Sequence, residues 1–264
     1  MISNKNTFSR WVNLCITVGT YIFLYVPVVV IVLFSFNKSD VSIKWQGFSL
    51  KWYAKLFSSP EILSAFKVSI TVAIWATLLS VVIGTCFVVA ISWWKSRFVT
   101  LLFYPNIVLP EIVLAIGILS MFAFLKVPLG YTSLSVGHTL IGLGFVIPIV
   151  RARFIERDPI LTEASLDLGA TYFTTFKKVL LPLMSPSLIA SALIAFTLSL
   201  DDFLISFFCS SPKVETLSIY VYAQLKSMVD PTINAISTCF LVLSSVGIIV
   251  LCAFKVVDQV LTHE

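Results

Sequence analysis

The sequence predicts an all-α integral membrane protein with six transmembrane helices, and three observations carry that expectation. Hydrophobic residues fill 58% of the 264 positions and charged residues only 12%, with a mean hydropathy of +1.01. That balance leaves too little polar surface to cover a soluble domain. The apolar residues fall in long runs, and roughly 20 such residues cross a hydrocarbon core. Six stretches meet the requirement, at about 12–34, 63–93, 99–125, 134–150, 187–208 and 233–254, giving one transmembrane domain over residues 1–264. An even number of crossings puts both termini on one side.

Lys5 and Arg10 precede the first span, as in a signal peptide. The apolar run continues from Trp11 to Phe36, past the roughly 7 to 15 residues of a signal core, and no A-x-A site follows, so it is expected to remain as an anchor. Between spans one and two, Asn37 to Ile62 carries Trp45, Phe48, Trp52, Tyr53 and Phe57, the composition of an aromatic belt or interfacial helix, or of a docking surface for an external partner. Lys67, near the start of the second span, is long enough to snorkel to the headgroups. The third span is interrupted by Pro105 and Pro110, and Glu111 follows directly, a pattern of broken backbone lining a cavity or of a helix start. The fourth is short and holds Gly142, Gly144 and Pro148. The fifth contains "SLDDFLISFF", which places Asp201 and Asp202 toward the outer side of the core, where a charge in hydrocarbon costs about 2.5 to 3.5 kcal/mol on insertion scales; the pair reads either as interfacial carboxylates satisfied by nearby backbone or basic groups or as a cation site on a transport path. Adjacent helical residues point about 100° apart, so one aspartate is expected to line a cavity while the other meets a neighbouring span or subunit. Ser210 to Pro231 then offers a short interfacial helix around "YVYAQL" before the sixth span.

The formal charge of +5 is spread beside span ends and forms no basic stripe, which argues against a nucleic-acid partner. The cysteines, Cys15, Cys86, Cys209, Cys239 and Cys252, lie mostly in apolar runs without a CxxC pair, the pattern of small packing residues rather than of disulfides or zinc ligands. Lys and Arg favour the cytoplasmic side. Arg10 and the Arg151, Arg153, Arg157 group sit at span ends and give the bias toward cytoplasmic termini.

Residues 151–186 are then a cytoplasmic loop, and its local signals describe two short helices. Asp158 with Pro159 marks a start and Gly169 a stop; a second segment starts near Thr171 and Pro182 ends it. Phe173, Phe176, Val179 and Leu180 recur at helical spacing. So short a pair is marginal alone, so it rests on its own span ends or on a second protein, to which Glu163 and Asp167, one turn apart, offer carboxylates.

The run Glu163, Ala164, Ser165, then Gly169, then Val179, Leu181 and Pro182 resembles the EAA loop of bacterial ABC-importer permeases: E-A-A, three residues, G, nine residues, I, one residue, L-P. Ser165 stands for the second alanine and Val179 for the isoleucine, with spacing intact. The resemblance implies a type I ABC-importer permease fold and a coupling helix seated in a cytoplasmic ATPase, with Glu163, Ala164, Ser165, Asp167, Gly169, Leu181 and Pro182 as coupling residues. It also implies a second homologous permease subunit as heterodimer partner, an ATPase dimer that binds ATP and Mg, and a periplasmic solute-binding protein, in the bacterial inner membrane. The chain has no Gly-Lys dipeptide and hence no phosphate-cradling G-x-x-x-x-G-K-[ST] loop, so nucleotide chemistry belongs to a partner and no cofactor to this chain.

Three intramembrane carboxylates, Glu111, Asp201 and Asp202, point to a cationic solute. The paired aspartates after "FTLSL" resemble the polyamine branch of these permeases, in particular the second permease subunit of spermidine/putrescine importers. That resemblance, rather than charge, selects polyamines. A path of carboxylates and aromatic faces suits a polycation with methylene spacers, with Tyr220 and Tyr222 as outer contacts. The alternative is an ion-gradient-driven secondary transporter using the same acids, although no internal repeat favours it. An intramembrane enzyme has little support, since His138 and His263 are the only histidines and no HExxH or GxSxG occurs.

Overall fold

A computed structural model describes residues 3–40, 44–94, 109–227 and 231–261. The expectations for Pro105, for the first part of the third span and for His263 fall outside these residues. Among the described residues the chain is built of helices: α1 (Ser3–Ser35), α2 (Lys51–Ser58), α3 (Pro60–Trp94), α4 (Glu111–Phe124), α5 (Tyr131–Glu156), α6 (Ile160–Asp167), α7 (Tyr172–Thr175), a π-helical turn (Phe176–Leu180), α8 (Leu181–Asp201), α9 (Leu204–Cys209), α10 (Leu217–Ser227) and α11 (Thr232–Leu261). Among the described residues, four helical stretches are long and apolar enough to cross a membrane: Arg10–Ser35, Pro60–Ile91, Tyr131–Glu156 and Tyr172–Asp201. Two shorter apolar helices are Glu111–Phe124 and Thr232–Val246.

The chain divides into two units, Met1–Pro60 with Ala223–Leu243, and Glu61–Tyr222 with Ser244–Glu264. In the first, α1 presents apolar side chains on every side, including Trp11, Ile16, Phe23 and Leu33. The segment after it is folded by hydrogen bonds rather than laid out as a belt. The Asn37 carboxamide, 1% exposed, donates to the Lys44 carbonyl at 2.8 Å and accepts the Gln46 amide at 2.9 Å. The Asn37 carbonyl accepts the Trp52 indole N–H at 2.8 Å. Trp52 is therefore a core residue of this knob, whereas Trp45, Phe48 and Phe57 remain exposed.

In the second unit α5 is the central helix, and the expectation of a short, weak fourth span is corrected. It runs unbroken for 26 residues through Pro148. The glycines that read as interruptions are contact points. A Cβ on Gly142 would stand 2.8 Å from Ser80 Oγ of α3, and one on Gly137 2.5 Å from Ile205 Cγ2 of α9. Small residues at such crossings let helices approach where lipid provides no hydrophobic drive for association. Around them, Val88 and Val89 of α3, Val146 and Val150 of α5, and Met184 and Ala195 of α8 form one buried cluster. Val72, Ala115, Ile118, Leu134 and Ile205 form the other.

Candidate functional site

Two features gather the chemistry-bearing residues of the second unit. The first is a break in the fifth span. α8 ends at Asp201, Asp202 is extended (φ −64°, ψ 128°), and a new helix, α9, starts at Leu204. The expectation of a continuous helix through 187–208 is corrected here. Side-chain contacts hold the break. Asp202 turns its carboxylate onto the start of α9, accepting the Ser206 N–H at 2.8 Å and the Ile205 N–H at 3.4 Å, a side-chain cap of otherwise unpaired amides. The Asp202 carbonyl, freed by the break, accepts the Ser218 hydroxyl of α10 at 2.8 Å.

Asp202 is 7% exposed and Asp201 is exposed, so the two carboxylates do face different surroundings. Glu111, in the first turn of α4 after Pro110, is exposed, and α4 packs through Ala115 and Ile118 against Ile205 and Cys209 of α9, which brings Glu111 toward Asp202. Tyr222 packs on Phe203 with ring centroids 4.8 Å apart and meets Phe207 edge-on at 6.2 Å, adding an aromatic flank. Tyr220 lies on the same helix, α10, half-buried. The break thus assembles Asp202, Glu111 and the Tyr222 aromatic group.

His138 of α5 was missed by sequence reasoning. Its ring, 3% exposed, holds Nδ1 2.8 Å from Ser199 Oγ and Nε2 3.1 Å from Ser206 Oγ and 3.5 Å from Asp202 Oδ2. The one available signal was a lone histidine in an apolar run, which by itself reads as a packing residue.

The second feature is the projection formed by α6, α7 and the π turn. Asp158 Oδ1 accepts the Ile160 N–H at 2.9 Å and opens α6; Gly169, at φ +84°, closes it in the left-handed region. Thr171 Oγ1 accepts the Thr174 N–H and opens α7. The expected stop at Pro182 is corrected: the chain runs on through Pro182 into α8. Proline has no N–H to donate and its ring crowds the preceding turn. The turn Phe176–Leu180, in which the Leu181 N–H reaches back to the Phe176 carbonyl, widens the helix ahead of that ring.

Ser165 Oγ and Thr175 Oγ1 lie 3.0 Å apart and tie α6 to α7. Arg157 fixes the start of α6: its guanidinium donates to Thr162 Oγ1 at 2.5 Å and lies 4.0 Å over the Phe154 ring, and burial lowers its pKa from the usual arginine value. Glu163, Ala164, Asp167 and Gly169 are exposed, as are Leu181 and Pro182; Ser165 is half-buried. The apolar face is only partly covered. Leu180 is buried and Phe176 packs on the α3–α5–α8 cluster, but Phe173 is 73% and Leu168 88% exposed.

Apolar helices long enough to cross a membrane, with a polar two-helix projection between them, are the features of a membrane-embedded component. The chain belongs to the family described as binding-protein-dependent transport system inner membrane component, matched over residues 76–263. It is 37% identical to the spermidine/putrescine transport system permease protein PotC of Escherichia coli K12 over 232 residues, 87% of this chain and 88% of that protein. It is 34% identical to PotC of Haemophilus influenzae over 92% of this chain and 93% of that one. The putrescine transport system permease protein PotI of Escherichia coli K12 is 32% identical over 91% and 88%. Among solved structures, a bacterial ABC transporter involved in import of the acidic polysaccharide alginate aligns with TM-score 0.71 at 14% identity, covering 97% of this chain and 96% of that one. The MetNI methionine ABC transporter aligns with TM-score 0.61 at 18% identity over 75% and 99%. At these identities the two structures establish a shared permease fold. The chain is accordingly a transporter permease of the inner-membrane family and not itself an enzyme.

Proposed function

We infer that the chain is the permease subunit of an ATP-driven importer that carries polyamines, spermidine or putrescine, across the bacterial inner membrane by alternating access. The observation that carries this reading is the broken fifth span, which offers an exposed Asp201 carboxylate next to the Glu111–Asp202 pair and the Tyr222 aromatic group. A cationic amine pairs with carboxylates, and aromatic faces accept its charge and methylenes. The kinship with PotC and PotI supports polyamines as the cargo. In this reading Asp201 and Glu111 meet the substrate, Asp202 shapes the break, and Tyr220 and Tyr222 flank the outer entrance.

The projection is the coupling loop, 151–186. Exposed Leu168 and Phe173 beside Glu163 and Asp167 make an amphipathic surface that its own unit leaves uncovered, which supports docking into the cleft of a cytoplasmic ATPase dimer holding ATP and Mg. Cytoplasmic termini, six spans, a second homologous permease and a periplasmic polyamine-binding protein complete the proposed assembly.

The test is uptake of radiolabelled spermidine and putrescine by cells lacking the importer, complemented with all subunits at matched expression. Asp201→Asn is expected to lower uptake at least tenfold with assembly intact. Wild-type uptake by that variant removes the carboxylate from the path. Uptake that survives an inactive ATPase and collapses with the membrane potential indicates the gradient-driven alternative.

A further inference from the structure

One imidazole, on α5, reaches both halves of the broken fifth span. His138 Nδ1 lies 2.8 Å from Ser199 Oγ, two residues before the end of α8, and Nε2 lies 3.1 Å from Ser206 Oγ, in the first turns of α9. Asp202 Oδ2, at the break itself, is 3.5 Å from Nε2. All these side chains are buried. With the hydrogen on Nε2, the ring donates toward Ser206 Oγ and Asp202 while Nδ1 accepts the Ser199 hydroxyl proton, so both ring nitrogens have an assignment.

The alternative conformation is plain. Residues 181–209 contain Pro182 and Pro186 near their start but no glycine or proline at 202–203, so nothing local obliges the helix to stop there. Resealing 202–203 would supply ordinary helical hydrogen bonds. It would also withdraw the Asp202 carboxylate from the α9 amides and leave a buried charge without its partners, which low-dielectric surroundings penalise heavily. The imidazole holds both ends of the break and adds a ring N–H beside that carboxylate. Gly137, the residue before His138, has no side chain to keep α9 away, and Ile205 Cγ2 fills the space a Cβ would take.

We propose that His138 is a positioning residue for cation passage: it clasps the two halves of the fifth span so that the break at Asp202–Phe203 persists and Asp201 and Glu111 keep their places at the path. The proposal rests on the path reading for its functional consequence, but the clasp itself does not.

The experiment uses the complete transporter in lipid nanodiscs with its binding protein, and compares wild type with His138→Phe, His138→Gln and Ser206→Ala. Phe keeps the ring without either nitrogen; Gln retains a donor where Nε2 stands. Hydrogen exchange read by mass spectrometry on the 202–209 segment reports the clasp, and the spermidine KM reports its consequence. His138→Phe is expected to speed exchange at the Ile205 and Ser206 amides at least tenfold and raise the KM at least fivefold, with nucleotide-stimulated turnover at saturating spermidine within about twofold. His138→Gln should recover both to within threefold of wild type. Ser206→Ala, which removes one arm, should fall between and decides the matter if the Phe variant does not assemble. Unchanged exchange overturns the clasp. Faster exchange with an unchanged KM overturns the positioning role. A normal KM in Asp201→Asn strikes the path reading instead, and leaves the exchange result to judge the clasp.

Discussion

The hydroxyls of Ser165 and Thr175 lie 3.0 Å apart, joining the two helices of the polar projection across ten residues of sequence. Ser165 is the position at which the chain departs from the second alanine of the EAA pattern, and Thr175 is 1% exposed. The departure is thus structural: a serine there satisfies a buried hydroxyl. Ser165→Ala restores the common residue but strands the Thr175 hydroxyl, at about 1 to 3 kcal/mol for an unsatisfied buried group. Uptake per ATP hydrolysed is expected to fall severalfold in Ser165→Ala and to recover in Ser165→Ala/Thr175→Val, which removes both partners. A double variant as impaired as the single one contradicts this account.

A Cβ at Gly169 would meet no atom within 4 Å, so the constraint on this residue is conformational and comes from φ +84° alone. Gly169→Ala should cost about 1 to 2 kcal/mol, the penalty of a left-handed residue, and reduce coupling modestly. Gly169→Pro cannot adopt a positive φ and should abolish coupling, leaving membrane insertion intact. Glu163→Lys, exposed, should do the same by reversing charge at the proposed docking surface. Basal and spermidine-stimulated ATPase in purified complexes separates the outcomes, and normal stimulation in either Gly169→Pro or Glu163→Lys refutes a coupling role.

The two aspartates should separate by phenotype. Asp202→Asn retains a cap-forming oxygen and should assemble normally. Asp202→Ala loses the cap, at about 0.5 to 2 kcal/mol, and should lower the amount of mature transporter. Asp201, exposed, should show no stability loss with either substitution while losing uptake. Quantitative immunoblotting beside uptake measures both, and equal loss of protein in Asp201→Ala and Asp202→Ala speaks against the division.

Gly142→Leu places a branched side chain where Ser80 Oγ already stands 2.8 Å from a Cβ and Ser80 Cβ 3.0 Å. Separation of α3 from α5 is expected, with at least a fivefold loss of folded permease in detergent. Gly142→Ala should be milder, since turning Ser80 Oγ away leaves only the 3.0 Å approach to Ser80 Cβ for a small shift of the helices to relieve. Fluorescence-detected size-exclusion chromatography of tagged protein provides the comparison.

Much of this was legible along the chain. The first, second and fourth apolar runs lie within single helices, and Asp158, Gly169 and Thr171 act as start, stop and start, because capping and left-handed turns are decided by neighbours in sequence. The spacing from Glu163 to Pro182 pointed to the permease family that residues 76–263 then established. Pro182 misled because a stop rule built on i to i−4 bonding does not foresee a π turn placed before the ring. The burial of Trp52 was not legible because its indole N–H finds the Asn37 carbonyl, 15 residues away.

By itself the sequence determined where apolar runs long enough for lipid begin and end, and which polar insert separates them, since hydropathy, caps and breakers act over a few residues. Only the tertiary structure decided that Gly137 and Gly142 are contacts and that the fifth span breaks at Asp202. It also decided that His138 sits at that break, because its partners lie 61 and 68 residues away in the chain. A buried polar group draws its meaning from what surrounds it in space, and that information is absent from any window of neighbouring residues.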